Sequence, residues 1–233
     1  MKGEVIIALD FSEKKETMDF LENFKEEKPY VKVGMELFYS VGPEIVREIK
    51  SMGYKVFLDL KLHDIPNTVE STMAVLANLG ADMINVHAAG TKKMMEGAVR
   101  GITVSTNKRP LIIAVTQLTS TDQERMTNEL LIKEDVEKVV LKYAQNAKEA
   151  GLDGVVCSPL ESPIIHKVCG ENFITVTPGI RFADGKKGDQ VRVTTPGKAG
   201  ELGSTYIVVG RPINQADDPV AAYRRCMKEF GGN

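Results

Sequence analysis

The sequence contains few cysteines, and their number and spacing argue against two common kinds of structural site. There are three, Cys157, Cys169 and Cys226, and no two of them form a Cys-x-x-Cys pair. An odd number at such wide spacing is unlike a disulfide framework and unlike a zinc knuckle. We therefore expect reduced thiols and a cytoplasmic location.

The chain also lacks a large net charge and a long apolar run. Lys and Arg together number 30 and Asp and Glu 32, so no general basic field would attract nucleic acid or an acidic membrane. The opening apolar run, 5–9, ends at Asp10 and is too short for a signal peptide or a membrane span. We expect a soluble, unprocessed chain with no nucleic-acid or membrane partner, in which any anion is bound locally.

Short apolar runs alternate with amphipathic stretches along the whole chain. In the stretch 136–147, for example, apolar residues recur at i, i+3 and i+4 and form one stripe, which is typical of a helix. The runs that predict strands lie at 5–9, 30–33, 56–60, 83–86, 111–115, 154–156, 173–177 and 206–209. Such alternation predicts parallel strands joined by right-handed crossovers.

Eight strand-helix units favour a closed barrel over an open, doubly wound sheet. A dinucleotide-binding sheet normally has a glycine-rich turn after its first strand, whereas this first strand continues into Asp10, Phe11 and Ser12. No segment rich in Ser, Gly or Pro separates the units into domains. We therefore predict a single (β/α)8 TIM barrel over residues 1–233.

Charged residues occupy the carboxyl-terminal ends of the predicted strands, where the active site of such a barrel lies. Asp10 follows the first strand, Lys32 lies within the second, and the third contains Asp59 and Lys61 and leads to Asp64. Asp59 and Lys61 are two positions apart on an extended segment, so both side chains project into the barrel mouth. Each residue alone could belong to a structural ion pair, but buried charge converging from several strands is costly unless it has a use. We predict that these residues form the catalytic centre.

Residues suited to phosphate binding follow the last two predicted strands, namely Pro178, Gly179, Arg181, Gly210 and Arg211. Glycine lets backbone N–H groups approach an anion, a guanidinium binds its oxygens, and these two loops are the usual phosphate site of the fold. The polar segment 183–195 between them contains Gln190 and has the composition of a mobile lid, with a solvated loop as the alternative. The sequence therefore predicts a phosphorylated ligand.

The motifs at these positions resemble a known family. They comprise the run Asp-Leu-Lys-Leu-His-Asp-Ile-Pro-Asn-Thr at 59–68, together with the segments 32–34, 177–181, 188–190 and 209–212. In this order, and over nearly the whole chain, they are similar to orotidine 5′-phosphate decarboxylases of the short bacterial type. The Asp-x-Lys-x-x-Asp motif alone would indicate only a superfamily that also contains metal-dependent phosphosugar enzymes, but the remaining motifs narrow the choice.

The resemblance implies decarboxylation of orotidine 5′-phosphate to uridine 5′-phosphate in pyrimidine biosynthesis, without a metal or another cofactor. It implies that Lys61 donates the proton to C6 of the pyrimidine and that Asp59 lies against the departing carboxylate. Lys32 and Asp10 would complete the charged array and contact the ribose hydroxyls. Asp64 and Thr68 would reach the site of a neighbouring subunit, so the implied assembly is a homodimer.

The remaining residues carried over by the resemblance bind the substrate away from the reacting carbon. Thr119 would contact the edge of the pyrimidine. The lid and the phosphate site would be formed by Arg181, Gln190, Gly210 and Arg211, with Pro178 as a further substrate contact.

Two alternatives stay open at this point. A metal-dependent phosphosugar decarboxylase or aldolase of the same superfamily would have a glutamate where this chain has Lys32, and a lysine there replaces a ligand with a repelling charge. A non-catalytic barrel that binds a phosphorylated ligand would need Arg181 and Arg211, but not a lysine flanked by carboxylates. Turnover of the nucleotide would separate the alternatives.

Overall fold

The computed structural model describes residues 3–103, 108–184 and 193–231, and its eight strands form a closed parallel barrel. The strands are β1 (Glu4–Leu9), β2 (Tyr30–Gly34), β3 (Val56–Leu62), β4 (Met83–His87), β5 (Leu111–Val115), β6 (Gly154–Val156), β7 (Ile174–Thr177) and β8 (Tyr206–Val209). They follow chain order around the ring, and β8 closes it against β1. The predicted (β/α)8 fold class is confirmed, and each predicted strand overlaps an observed one.

Helices connect the strands and cover the outside of the barrel. In the described residues they are α1 (Lys14–Glu22), α2 (Met35–Val41), α3 (Glu44–Ser51), α4 (Pro66–Ala77), α5 (Thr91–Thr103), α6 (Gln123–Asn128), α7 (Val136–Glu149), α8 (Ser162–Cys169), α9 (Pro196–Glu201), α10 (Arg211–Asn214) and α11 (Pro219–Phe230). Two short 3-10 helices, Ala88–Gly90 and Pro159–Glu161, follow β4 and β6. Within the described parts of the chain, no helix is both long enough and apolar enough to cross a bilayer.

Strand alternation divides the buried apolar residues into two layers. On β1, Ile6 and Ala8 point into the barrel, whereas Ile7 and Leu9 pack outward against the helices. Side chains on a strand alternate between its two faces, so the next inward position after Ala8 is Asp10. On the other strands too, the inward polar side chains lie nearer the barrel mouth than the inward apolar side chains.

The pairing of β3 with β4 is irregular just where the charged residues lie. Leu58 pairs with Ile84 and Leu62 with Val86, so the register shifts between these two pairs. Within the shifted segment Lys61 has a φ of 53°, in the left-handed region that residues with a side chain seldom adopt. Bulges of this kind redirect side chains next to functional sites, and this one lies at the inner rim of the barrel mouth.

Candidate active site

Four charged side chains form an alternating row across the ends of the first three strands. The Nζ of Lys32 lies 3.4 Å from Oδ1 of Asp10 and 3.4 Å from Oδ2 of Asp59. The Nζ of Lys61 lies 2.7 Å from Oδ1 of Asp59. The order is therefore carboxylate, ammonium, carboxylate, ammonium. The structure brings together the four residues that the sequence placed at the barrel mouth.

The row becomes more exposed toward both of its ends. The side chains of Lys32 and Asp59 are each 12% exposed, whereas those of Lys61 and Asp10 are 28% and 51% exposed. Burial is the largest influence on the Asp59 carboxyl and raises its pKa, but the charges of Lys32 and Lys61 and hydrogen bonds from Lys61 and Asn85 together bring the pKa below its ordinary value. Asp59 is therefore an ionised, buried carboxylate at neutral pH.

Two glycines provide the space that the row needs. A Cβ on Gly34 would lie 2.9 Å from the Nζ of Lys32, and a Cβ on Gly210 would lie 3.0 Å from Oδ2 of Asp10. Gly34 is the next inward position on β2 after Lys32, so its missing side chain lets the lysine amine extend up the strand toward Asp59. Gly210, which was predicted as a phosphate-binding position, lies beside the carboxylate of Asp10.

A fifth polar residue belongs to this cluster and was missed by the sequence analysis. Asn85 on β4 is fully buried, and its Nδ2 donates to Oδ1 of Asp59 at 2.6 Å. Its Oδ1 accepts the backbone N–H of Lys61 at 2.8 Å. The available signal was a single amide at an inward position of the apolar run 83–86, which alone does not distinguish a functional residue from a satisfied core residue.

A cavity of about 230 Å³ opens beside the row. Its lining includes Lys32, Asp59 and Lys61 on the charged side, with Gln117, Leu118, Thr119, Ser120, Cys157 and Pro178 around the rest and Phe57, Val115, Val156 and Val208 as apolar surface. Pockets that enclose a whole ligand usually measure roughly 300–1,000 Å³. This cavity therefore suits the reacting part of a ligand. Its wall includes Thr119 and Pro178, the two residues for which the resemblance implies substrate contacts.

The predicted phosphate residues lie on the loops after two neighbouring strands. Gly179 follows β7 with a φ of 84°, and Arg181 pairs through its backbone N–H with the carbonyl of Thr194 at 3.0 Å. Arg211 is exposed and begins α10, and only Gly210 separates it from β8. Gln190 and most of the predicted lid lie outside the described residues.

Asp64 and Thr68 are both exposed and lie away from the alternating row. The Oδ1 of Asp64 accepts the backbone N–H of Ile65 at 2.7 Å. Among the described residues of one chain, Lys61 therefore has its carboxylate partner in Asp59 and not in Asp64. Thr68 lies in the first turn of α4, on the same rim of the barrel.

Two histidines stack beside Lys61. The rings of His63 and His87 are 5.5 Å apart and inclined by 16°, and Nδ1 of His87 accepts the backbone N–H of Ala89 at 3.2 Å. Burial, followed by the charges of His63 and Lys61, lowers the pKa of His87. Across the described ranges, no group of three or more His, Cys, Asp or Glu side chains is arranged to hold a metal ion.

Comparisons with known proteins identify the family of this chain. The model of the orotidine 5′-phosphate decarboxylase / HUMPS family matches residues 3–226. A Geobacillus protein named orotidine 5′-phosphate decarboxylase is 54% identical over 235 residues, covering 100% of this chain and 98% of the relative. For one of the same name from Bacillus cytotoxicus the identity is 53%, with 100% and 99% covered.

A solved structure leads to the same assignment. The crystal structure of orotidine 5′-phosphate decarboxylase from Lactobacillus acidophilus has a TM-score of 0.89 and 41% identity, and covers 99% of this chain and 100% of that one. The matches extend over essentially the full barrel. This chain therefore belongs to the orotidine 5′-phosphate decarboxylase / HUMPS family.

Proposed function

We propose that this chain is a carboxy-lyase that converts orotidine 5′-phosphate to uridine 5′-phosphate in pyrimidine biosynthesis, with the alternating charged row as its catalytic centre. The observation that carries the proposal is the position of Lys61. Its ammonium is held 2.7 Å from the Asp59 carboxylate and lines the cavity in which a ligand would lie. Relatives of this name that match the whole chain at more than half identity support the same activity.

Lys61 supplies the charge and the proton that the reaction requires. When the bond between C6 and the carboxylate breaks, CO₂ leaves and the electron pair stays on C6 as a carbanion. No adjacent carbonyl delocalises that pair, so the barrier must be lowered by fixed charge already oriented toward it. The ammonium of Lys61 stabilises the pair and then donates a proton to C6, and the neutral amine regains a proton from water.

Asp59 orients Lys61 and lies where the substrate carboxylate departs. Its Oδ1 accepts from Lys61, while its Oδ2 faces the ammonium of Lys32. The carboxylate is buried and ionised, so it needs no rearrangement of solvent when the substrate charge moves. Asp10 and Lys32 extend the row and are the groups that we assign to the ribose hydroxyls.

Recognition of the remainder of the nucleotide is assigned to the other half of the barrel mouth. Thr119 in the cavity wall contacts the pyrimidine edge, and Pro178 lies next to it in the binding site. The phosphate is bound by Arg181, Gln190, Gly210 and Arg211. Binding energy from a phosphate remote from C6 is then available to organise the reacting end of the substrate.

We further propose a homodimer in which Asp64 and Thr68 complete the site of the neighbouring subunit. Both residues are exposed on the rim, and the adjacent Ile65 leaves 66% of its surface exposed, which a partner subunit would cover. A cytoplasmic location and the absence of nucleic-acid and membrane partners stay predictions from composition.

The charged groups around Lys32 favour this activity over that of the metal-dependent relatives. The amine of Lys32 lies 3.4 Å from the carboxylates of both Asp10 and Asp59, so a positive charge already occupies the space between them. A divalent cation bound by the same carboxylates would be repelled by that ammonium.

The deciding experiment follows the ultraviolet absorbance of orotidine 5′-phosphate after addition of protein pre-treated with EDTA. The expected result is catalytic conversion to uridine 5′-phosphate with no loss of rate upon chelation. Binding without turnover would indicate a non-catalytic phosphate-binding barrel. Turnover of a phosphosugar that stops with EDTA and returns with Mg²⁺ would indicate the metal-dependent alternative.

A further inference from the structure

Asn85 is a buried amide between apolar residues of β4. On β4 it shares the inward face with Met83, and its strand neighbour on β5 is Ile113. Its exposure is 0%. Burial of an amide is unfavourable unless its polar atoms are hydrogen-bonded. A residue at this position therefore needs specific partners.

Both ends of the amide have a partner in the catalytic row. Nδ2 donates to Oδ1 of Asp59 at 2.6 Å, and Oδ1 accepts the backbone N–H of Lys61 at 2.8 Å. An ionised carboxylate can only accept a hydrogen bond and a backbone N–H can only donate one. These two partners therefore fix the orientation of the Asn85 amide, with Nδ2 toward Asp59 and Oδ1 toward Lys61. One side chain from β4 thus connects the carboxylate and the backbone of two residues on β3.

The bond to Lys61 falls at the strained point of β3. Lys61 adopts a φ of 53°, and the β3–β4 register shifts around it, so the regular ladder does not hold its backbone. A left-handed conformation at a residue with a side chain persists only when its surroundings impose it. The amide oxygen of Asn85 is a group from the neighbouring strand that does so.

We propose that Asn85 is a positioning residue for decarboxylation, which holds the Asp59 carboxylate and the Lys61 backbone in the arrangement that aims the Lys61 ammonium at the substrate. The proposal rests on the proposed function of the charged row. Asn85 itself touches neither substrate nor the proton that is transferred. Its effect is exerted through the Oδ1 of Asp59, which accepts from Lys61 Nζ and from Asn85 Nδ2 at once.

Removal of the amide has a consequence for protonation as well as for geometry. The charged groups that face Asp59 are Lys61 on its own strand and Lys32 on β2, and from β4 it receives the neutral Asn85, with His87 beyond Lys61. The Asn85 hydrogen bond is one of the influences that lower the pKa of Asp59. Without this donor the Asp59 carboxylate takes up a proton at a higher pH than in the wild type. A protonated Asp59 no longer forms an ion pair with Lys61.

The test compares two substitutions with a matched control. Asn85→Leu removes both hydrogen bonds at similar volume. Asn85→Asp keeps an acceptor for the Lys61 N–H but places a second carboxyl against Asp59, and two carboxyls at such a distance share a proton. Thr175→Val is the control, because Thr175 is also fully buried on an inner strand and its hydroxyl accepts the backbone N–H of Thr205 at 3.1 Å, away from the row.

For Asn85→Leu we expect kcat to fall by about 10- to 100-fold, as small misplacements of reacting groups do, with binding of uridine 5′-phosphate nearly unchanged. For Asn85→Asp we expect a kcat that rises with pH between about pH 5 and about pH 8 more steeply than that of the wild type, because the shared proton must leave first. Thr175→Val should keep the wild-type kcat and pH profile even if its melting temperature falls.

The outcomes separate this inference from the proposed function. A wild-type protein without decarboxylase activity would reject the proposed function itself. An active wild type together with Asn85 variants that keep both its kcat and its pH profile would overturn the positioning role. A uniform loss of activity at every pH, with weaker product binding and a lower melting temperature in both Asn85 variants, would also overturn it, since that pattern indicates a structural role only.

Discussion

The Nζ of Lys61 lies 2.7 Å from Oδ1 of Asp59, although the two residues are only two positions apart on one strand. Such positions are separated by roughly 6.6 Å along a regular strand, with parallel side chains. The register shift and the left-handed backbone at Lys61 accompany the close approach of the long lysine side chain to its neighbour. The pair is therefore a product of local backbone geometry as well as of charge.

We predict that Lys61→Ala abolishes decarboxylation and leaves the fold and the binding of uridine 5′-phosphate largely intact. The lysine acts on the developing carbanion and supplies its proton, whereas the product carries no charge at C6 for it to stabilise. Steady-state ultraviolet assays and calorimetric titration with product measure the two effects. A rate within about tenfold of wild type, a loss of only ~1.4 kcal/mol, would be too high for the proposed role.

Lys55→Ala is the matched control for that substitution. Lys55 immediately precedes β3, and its Nζ pairs with Oε1 of Glu4 at 2.8 Å, at the opposite end of the barrel. Loss of an exposed ion pair of this kind costs little stability. Equal inactivation of both variants would show that the two lysines matter for folding and not for chemistry.

The lowered pKa of Asp59 predicts how acid affects stability. A carboxyl whose pKa is lower in the folded state than its ordinary value contributes stability that is complete above the ordinary pKa and is lost as the pH falls through the folded-state value. Asp59→Asn has no such group. The difference in free energy of unfolding between wild type and this variant should therefore move in favour of the variant as the pH is lowered from about 6 to about 3. Urea denaturation at several pH values measures it, and a constant difference contradicts the prediction.

The sequence was sufficient to predict the barrel and the members of the row because both depend on strand periodicity. Asp59 and Lys61 share a face by their spacing, and Asp10 and Lys32 reach the same mouth because parallel strands end on one side. Strand spacing and strand direction are sufficient for this prediction, and the individual atomic contacts are not needed. The order of the row, with Lys32 between two carboxylates, follows from the strand order once the barrel is closed.

The contacts of Asn85 could not be predicted in this way. They depend on the β3–β4 register shift, which is a long-range pairing irregularity, and on the unusual φ of Lys61. The stacking of His63 on His87 likewise depends on tertiary structure, because it joins the segment after β3 to the end of β4. A lone amide in an apolar strand carries no periodic signal, so its role becomes visible only when its partners are located.

We predict that Arg211→Ala weakens the reaction of the phosphorylated substrate and leaves any slow turnover of the phosphate-free nucleoside orotidine nearly unchanged. Loss of a charged partner of the phosphodianion should cost on the order of 2–5 kcal/mol in transition-state binding. The values of kcat/KM for both substrates measure this effect. Equal losses for the two substrates would show that Arg211 is structural.

Arg109→Ala serves as the control for the phosphate prediction. Arg109 precedes β5 at the amino-terminal end of the barrel, where its Nη1 pairs with Oδ2 of Asp153 at 2.8 Å. The substitution therefore removes an arginine side chain, as Arg211→Ala does, but at the opposite end of the barrel. Both substrates should retain their wild-type kcat/KM in this variant.

The last prediction concerns a site shared between two subunits. Asp64 follows Lys61 by three residues, yet its carboxylate is exposed and accepts from the backbone of Ile65, while Lys61 is paired with Asp59. If Asp64 acts across the dimer interface, mixing inactive Lys61→Ala and inactive Asp64→Ala subunits creates dimers in which one site has both wild-type residues. Random exchange makes about half of the dimers mixed, each with one intact site, so roughly a quarter of the wild-type activity per site should return. Mass spectrometry of the mixture verifies exchange, and no recovery after verified exchange would place Asp64 in the site of its own subunit.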